Sequence, residues 1–307
     1  MGAGHSHGVP DRDHRGALAV ALALAAVIVV AQAVGAVLTG SLALLTDTAH
    51  SAADASGLVV ALVAATLVTR PSDHRRTWGF RRIEVIAALG QATLLLAVGV
   101  YAAVEGLRRL ADPPEVPGPA LLVFGVVGLA ANVAALAVLW SRRGASLNLR
   151  AAFLEVLNDA LGSVGVVVAA VIIWTTGFQR ADALAGLFIA ALILPRAVRL
   201  MRETTAVLME FAPPGLDLQD VREHLLRLDH VVDVHDVHAS TVGTGLPTLT
   251  AHVVVEDACF GSGHSIRILQ QVRECVSEHF DVSVQHSTFQ IETRDVAREE
   301  PADALHP

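Results

Sequence analysis

Two pairs of ionisable side chains stand at helical spacing within otherwise apolar sequence: His50 with Asp54, and Glu155 with Asp159. Each is an i, i+4 pair, so on a helix its two members share one face, a turn apart. One imidazole and three carboxylates offer four ligands, enough for tetrahedral coordination of a divalent cation. A bare carboxylate in hydrocarbon is costly, so such groups must face a partner, an ion or a water-filled cavity. The competing explanation is that polar side chains merely hydrogen-bond helices together, and it suits the isolated Gln32, Gln91 and Asn132. Four ionisable groups in two matched pairs favour an ion pathway instead. Asp47, a turn before His50, is either a charge on the approach to that pathway or a helix-end residue.

The elements that must position these pairs are long and apolar. Of the 307 residues, 53% are hydrophobic and only 17% charged, and the mean hydropathy is +0.54. A soluble domain carries nearer a quarter charged residues, so lipid is the implied solvent. A bilayer core needs about 20 helical residues. Six segments qualify: Gly16–Leu38, Leu42–Thr69, Ile83–Arg109, Pro119–Trp140, Leu149–Trp174 and Ala181–Leu200. The first lacks a convincing cleavage site and reads as a retained span. The net charge of −8 excludes a nucleic-acid binder that works by neutralising phosphates. Cys259 and Cys275 have no CxxC spacing, so neither a disulfide framework nor a zinc ribbon is supported.

Orientation follows from arginine, because the chain has no lysine. Arg12 and Arg15 precede the first span, Arg70, Arg75, Arg76, Arg81 and Arg82 join the second to the third, and Arg142, Arg143 and Arg150 join the fourth to the fifth. Arg196, Arg199 and Arg202 close the sixth, whereas the opposite loops hold only Arg108, Arg109 and Arg180. The positive-inside rule places both termini in the cytoplasm of a multi-pass inner-membrane protein. Gly35, Gly57, Gly125, Gly128, Gly162, Gly165 and Gly186 are small residues of the kind that let helices approach in lipid. Pro195 is expected to kink or end the sixth span.

After Pro213-Pro214 the pattern turns soluble. Asp217–Leu228 has helical periodicity, Val231–Thr241 and Thr248–Glu256 alternate as strands about a turn at Gly243–Pro247, Gly263–Phe280 is helical and Val282–Glu292 is a strand. This order, α-β-β-α-β, makes a small two-layer α+β domain. The expected organisation is an N-terminal arm (1–15), a six-helix transmembrane domain (16–203), a linker (204–214), the α+β domain (215–293) and a disordered tail (294–307). His5, His7 and His14 in the arm read as flexible chain.

These residues resemble the cation diffusion facilitators, a family of bacterial zinc, cadmium and cobalt efflux transporters. The resemblance covers nearly the whole chain. It rests on Ser41-Leu42-Ala43-Leu44-Leu45-Thr46-Asp47-Thr48-Ala49-His50 with Asp54, on Arg81-Arg82-Ile83-Glu84, and on Asp159-Ala160-Leu161-Gly162-Ser163-Val164-Gly165. Late in the chain it adds Val234-His235-Asp236-Val237-His238, Ala251-His252-Val253 and Gln285-His286-Ser287-Thr288.

The resemblance implies a metallochaperone-like cytoplasmic domain, a homodimer, no enzymatic activity, and Zn2+/H+ antiport, with Cd2+ and Co2+ as further cargo. It carries the transported ion to His50, Asp54, Glu155 and Asp159, though many members have His where Glu155 stands. Three carboxylates with one imidazole admit Mn2+ or Fe2+ more readily, which is the alternative cargo. Metal loading would expel protons, and protons from outside would release metal. The resemblance further implies regulatory Zn2+ on His235, His252, His264 and His286, and an interdomain charge pair, Arg82 with Glu210, that holds the dimer. Asp73 and His74, in the loop after the second span, are not expected to form an intact site. A membrane metal sensor would explain the terminal domain but not four intramembrane ligands.

Overall fold

The computed structural model describes residues 15–68, 70–140 and 147–299. The N-terminal histidines, Arg142, Arg143 and residues 300–307 lie outside the described residues. Six long helices come first: α1 (Arg15–Thr39), α2 (Leu42–Val68), α3 (Ile83–Ala111), α4 (Gly118–Trp140), α5 (Leu147–Thr176) and α6 (Arg180–Leu208). Over the described residues, four stretches are long and apolar enough to cross a bilayer: Ile83–Ala111, Gly118–Trp140, Phe153–Thr176 and Arg180–Leu208. Ile28–Thr39 adds a shorter apolar stretch. Large apolar side chains point outward, with Val37 82%, Leu107 63% and Trp174 61% exposed. Such a surface suits lipid and not water. The chain is a multi-pass membrane protein.

Of the two outcomes expected at Pro195, a kink or an end to the span, the second does not occur. Pro195 does not end the helix, which continues to Leu208. Proline has no N–H to donate to the Ala191 carbonyl, but the helix carries on past that missing bond.

The chain forms two compact units, one of Met1–Val59 and Gln91–Arg199, the other of Val60–Gly90 and Leu200–Pro307. The core of the first gathers Leu44, Leu95, Leu121, Val166, Ile189 and Ile193. Glycines bring α4 and α5 together. A Cβ at Gly118 would stand 2.8 Å from the Trp174 nitrogen, and one at Gly125 would stand 3.1 Å from Val166 Cγ1.

The second unit holds α7 (Leu218–Leu226), β1 (Val231–Gly243), β2 (Leu246–Val255), α8 (Ala258–Gly261), α9 (His264–Glu278), β3 (His286–Glu292) and α10 (Arg294–Glu299). Asp217 caps α7 by accepting from the Gln219 and Asp220 amides. The sheet order is β1-β2-β3, antiparallel then parallel. A parallel pair needs a crossover, which α9 supplies. Its apolar face, Ile268, Val272, Cys275 and Val276, joins Val234, Leu249 and Val253 of the sheet in one core. Both cysteines are buried there as packing residues.

The α-β-β-α-β order stands, with three local differences. The hairpin is tighter, Gly243 pairing with Leu246 around Gly245 at φ +70°. β3 begins only at His286, because Val284 before it is buried in the core and not on the ladder. Arg294–Glu299, expected in a disordered tail, is the helix α10, whose first turn is tied to Thr293 through the Val296 and Ala297 amides.

Candidate metal site

The α2 helix carries Asp47, His50 and Asp54, and its start is fixed from α6. Asp182 accepts the Leu42 amide at 2.7 Å, the Ala43 amide at 3.3 Å and the Ser41 hydroxyl. It thereby satisfies N-terminal amides that a helix cannot bond internally. Arg109 adds a 2.7 Å bond to the Gly40 carbonyl and lies 3.8 Å from Asp182 Oδ2. Asp182 carries no motif signal and is found only through these contacts.

At the centre, His50 Nε2 lies 3.1 Å from Asp159 Oδ1 on α5 and 3.6 Å from Asp54 Oδ2 one turn along α2. One ligand atom from each of the three falls within 4.8 Å of the others. Asp54 Oδ2, Asp159 Oδ1 and His50 Nδ1 are buried and make no hydrogen bond. Polar atoms left so are rare in folded proteins, and the two carboxylate oxygens, together with His50 Nε2, are the donors a cation would use. Asp54 Oδ1 is held instead by the Gln91 amide at 3.2 Å. That contact depends on Gly57, where a Cβ would fall 2.3 Å from Gln91 Oε1.

Glu155 is not gathered with these three. Its Oε1 accepts from Arg196 Nη2 at 2.5 Å, and Arg196 Nη1 stands 3.6 Å from Asp54 Oδ2. Arg196 reads in the sequence as one of the loop-flanking arginines. The structure turns it inward, on the α6 face of Ile189 and Ile193, seven and three residues before it. That helical spacing, together with three carboxylates against one imidazole, was the signal that could have found it.

Asp47 is only 2% exposed. Its Oδ2 accepts from Gln32 Nε2 at 3.1 Å and from Ser163 Oγ at 3.2 Å, and Asn132 Nδ2 donates to Ser163 Oγ at 3.1 Å. Two glycines make room: a Cβ at Gly162 would stand 2.9 Å from Asp47 Oδ1, and one at Gly128 would stand 2.4 Å from Gln32 Nε2. Asp47, His50, Asn158 and Arg196 line a cavity of about 10 Å³, near the threshold for one water.

In the second unit, β1 and β2 place His235 opposite His252. Their rings lie 5.3 Å apart, and His235 Nε2 is 3.1 Å from Oε1 of the buried Glu292. His235, His252 and Glu292 each offer a ligand atom within 4.8 Å of the others; Glu292, at the end of β3, was not among the expected ligands. The other two expected histidines lie elsewhere. His264 contacts Ser262, Arg267 and His230, and His286 meets Trp78 edge-on at 4.7 Å. His224, Cys275 and His279 form another group of similar span, as do His230, Glu256 and Cys259. Burial pushes the Cys275 thiol above its ordinary range.

Arg82 Nη2 donates to Glu210 Oε1 at 2.7 Å. Glu210 sits at φ 60° where α6 ends, with Phe211 N bonded to Ala206 O and Glu210 N to Val207 O. This is a Schellman stop carrying Glu where glycine is usual. The Asp73 carboxylate accepts the Arg75 and Arg76 amides at 2.9 and 2.8 Å, which lowers its pKa and commits it to a turn.

Two family models match the chain: the cation efflux transmembrane domain over residues 18–209 and the cation efflux protein cytoplasmic domain over 213–294. The chain is 38% identical over 304 residues to the metal cation efflux system protein CzcD of Cupriavidus metallidurans, covering 99% of this chain and 93% of that protein. It is 33% identical over 297 residues to the zinc transporter ZitB of Escherichia coli, covering 95% and 93%. It is 32% identical over 292 residues to a cadmium, cobalt and zinc/H(+)-K(+) antiporter of Bacillus subtilis, covering 94% and 92%. The chain belongs to the cation efflux family, the cation diffusion facilitators.

Proposed function

We propose that this member of the cation efflux family exports divalent metal ions, zinc foremost, in exchange for protons across the cell membrane. The observation that carries the reading is the convergence of His50 Nε2 with Asp159 Oδ1 at 3.1 Å and Asp54 Oδ2 at 3.6 Å, within apolar helices. Imidazole with carboxylate oxygens suits zinc in a tetrahedral field. His50, Asp54 and Asp159 are the ligands in this reading, with Glu155 or water in the fourth position and Asp47 as a buried charge beside them. The relatives named for zinc, cadmium and cobalt support the same class of cargo. The oxygen-rich donor set also favours a second cargo, Mn2+ or Fe2+.

A metal binds only the deprotonated forms of carboxylate and imidazole, so in this reading metal loading and proton release are linked at one place. In this reading both termini lie in the cytoplasm, which the Arg-rich loops support. The working unit is a homodimer of chains organised as an arm (1–15), a membrane domain (16–203), a linker (204–214), a cytoplasmic domain (215–293) and a tail (294–307). The Arg82–Glu210 pair couples its domains, and His235, His252 and Glu292 take regulatory metal.

Zinc uptake by everted membrane vesicles tests the exchange. Uptake should start when a pH gradient is imposed and stop when an ionophore collapses it. Uptake indifferent to that collapse would refute antiport.

A further inference from the structure

We propose that Arg196 is a tethered counter-cation: held on Glu155, it also faces Asp54 in the metal-free transport site, and it must withdraw from Asp54 before metal can load. The proposal rests on reading His50, Asp54 and Asp159 as the metal's ligands.

The geometry is that of one guanidinium reaching two helices at once. From α6, Nη2 bonds Glu155 on α5 at 2.5 Å while Nη1 faces Asp54 Oδ2 on α2 at 3.6 Å. Arginine stays protonated under all physiological conditions, and its planar fork can serve two carboxylates where a lysine serves one. Asp54 Oδ2 is also the oxygen that stands 3.6 Å from His50 Nε2. A single oxygen therefore faces both the arginine and the histidine.

A metal bonded to Asp54 Oδ2 at the usual distance of about 2.0–2.2 Å would bring two positive charges against Arg196 Nη1. Inside the membrane domain that repulsion is screened far less than in water. Metal and guanidinium thus exclude one another at this oxygen. The contact is built to be given up: neither Nη1 nor Asp54 Oδ2 makes a hydrogen bond, although both are buried. The firm bond is to Glu155, the carboxylate outside the three-ligand group. Pro195 adds a local freedom, since it removes one rung of the α6 ladder next to Arg196.

The arrangement lowers the uncompensated negative charge where carboxylates from two helices share a metal-free site, since Arg196 contacts both Asp54 and Glu155. It also sets selectivity and release. A cation must outcompete an internal one to load, and the returning guanidinium helps to expel it. With water in the metal's fourth position, Glu155 serves as the resting place of the arginine.

The test is a Zn2+ titration of the purified full-length protein against a competing chelator, reading the component of binding that Asp159→Ala abolishes. Arg196→Gln should tighten that component by about tenfold, the scale of one charge-assisted interaction removed from competition. Arg196→Lys keeps the charge and preserves folding but cannot bridge both carboxylates, so it should tighten by about threefold. In reconstituted transport, Arg196→Gln should lower the half-saturating zinc and the maximal rate together. Unchanged or weaker binding in Arg196→Gln, or Arg196→Lys equal to wild type, overturns the proposal while leaving the ligand assignment intact. Wild-type binding by Asp159→Ala overturns the ligand assignment itself, and the proposal with it.

Discussion

His50 on α2 and Asp159 on α5 meet at 3.1 Å, so residues 109 positions apart in sequence share one buried polar cluster. Nothing local makes them neighbours. Their meeting depends on the Asp182 clamp at the start of α2 and on the polar contacts that converge from α1, α4 and α5 around Asp47.

Asp182→Ala should lower stability by about 2 kcal/mol, because the Leu42 and Ala43 amides and the Ser41 hydroxyl lose their acceptor in a buried setting. Thermal unfolding of the purified protein in detergent reads this directly. A melting temperature equal to wild type would mean that water or another group replaces the carboxylate.

Gly57→Ala should weaken zinc transport without unfolding the protein. Its Cβ would fall 2.3 Å from Gln91 Oε1, the far end of a flexible side chain, and so push Gln91 off Asp54. The expected loss is about tenfold in apparent affinity, the worth of one hydrogen bond to a charged group. Gln91→Ala should do the same, and the double variant should be no worse than either single one. Additive losses would show that Gly57 acts by another route.

Glu155→His should raise zinc over manganese preference by about tenfold, since imidazole replaces a hard oxygen donor near the site. Competitive uptake of the two metals measures it. An unchanged ratio would place Glu155 outside metal selection and leave it only as the partner of Arg196.

Arg82→Glu should impair transport while costing at most about 1 kcal/mol of stability, because surface ion pairs contribute little. Both side chains are substantially exposed, at 42% and 58%. Adding Glu210→Arg should restore transport if the pair itself matters. Failure of the swap, with an intact dimer by light scattering, would reduce the contact to surface chemistry.

Much of this was legible from the sequence because hydrophobic length and i, i+4 spacing are local signals. The apolar runs gave helix starts close to those observed, and His50–Asp54 needed only a count of four. The contacts between helices were not legible. Arg196 was counted among the topology arginines, since its charge is visible in sequence and its inward reach is not. Asp182 carries no motif signal, and its contacts with the start of α2 lie 139–141 residues away in sequence. Gly57, Gly128 and Gly162 were read as helix-packing residues, yet each makes room for a polar side chain, Gln91, Gln32 or Asp47. In the second unit, Glu292 was hidden because the parallel pairing of β3 with β2, opposite Val254, brings it beside His235. Strand alternation does not specify which edge a strand joins.

The central claim is that His50 and Asp159 hold the transported ion. Zinc flux into proteoliposomes should be compared for wild type, His50→Ala and Asp159→Ala at matched protein content and equal thermal stability. Wild type should transport, and each variant should fall by about a hundredfold or more, beyond the roughly 10–100-fold that loss of an outer-shell partner costs a metal site. Either variant carrying zinc at the wild-type rate would contradict the account.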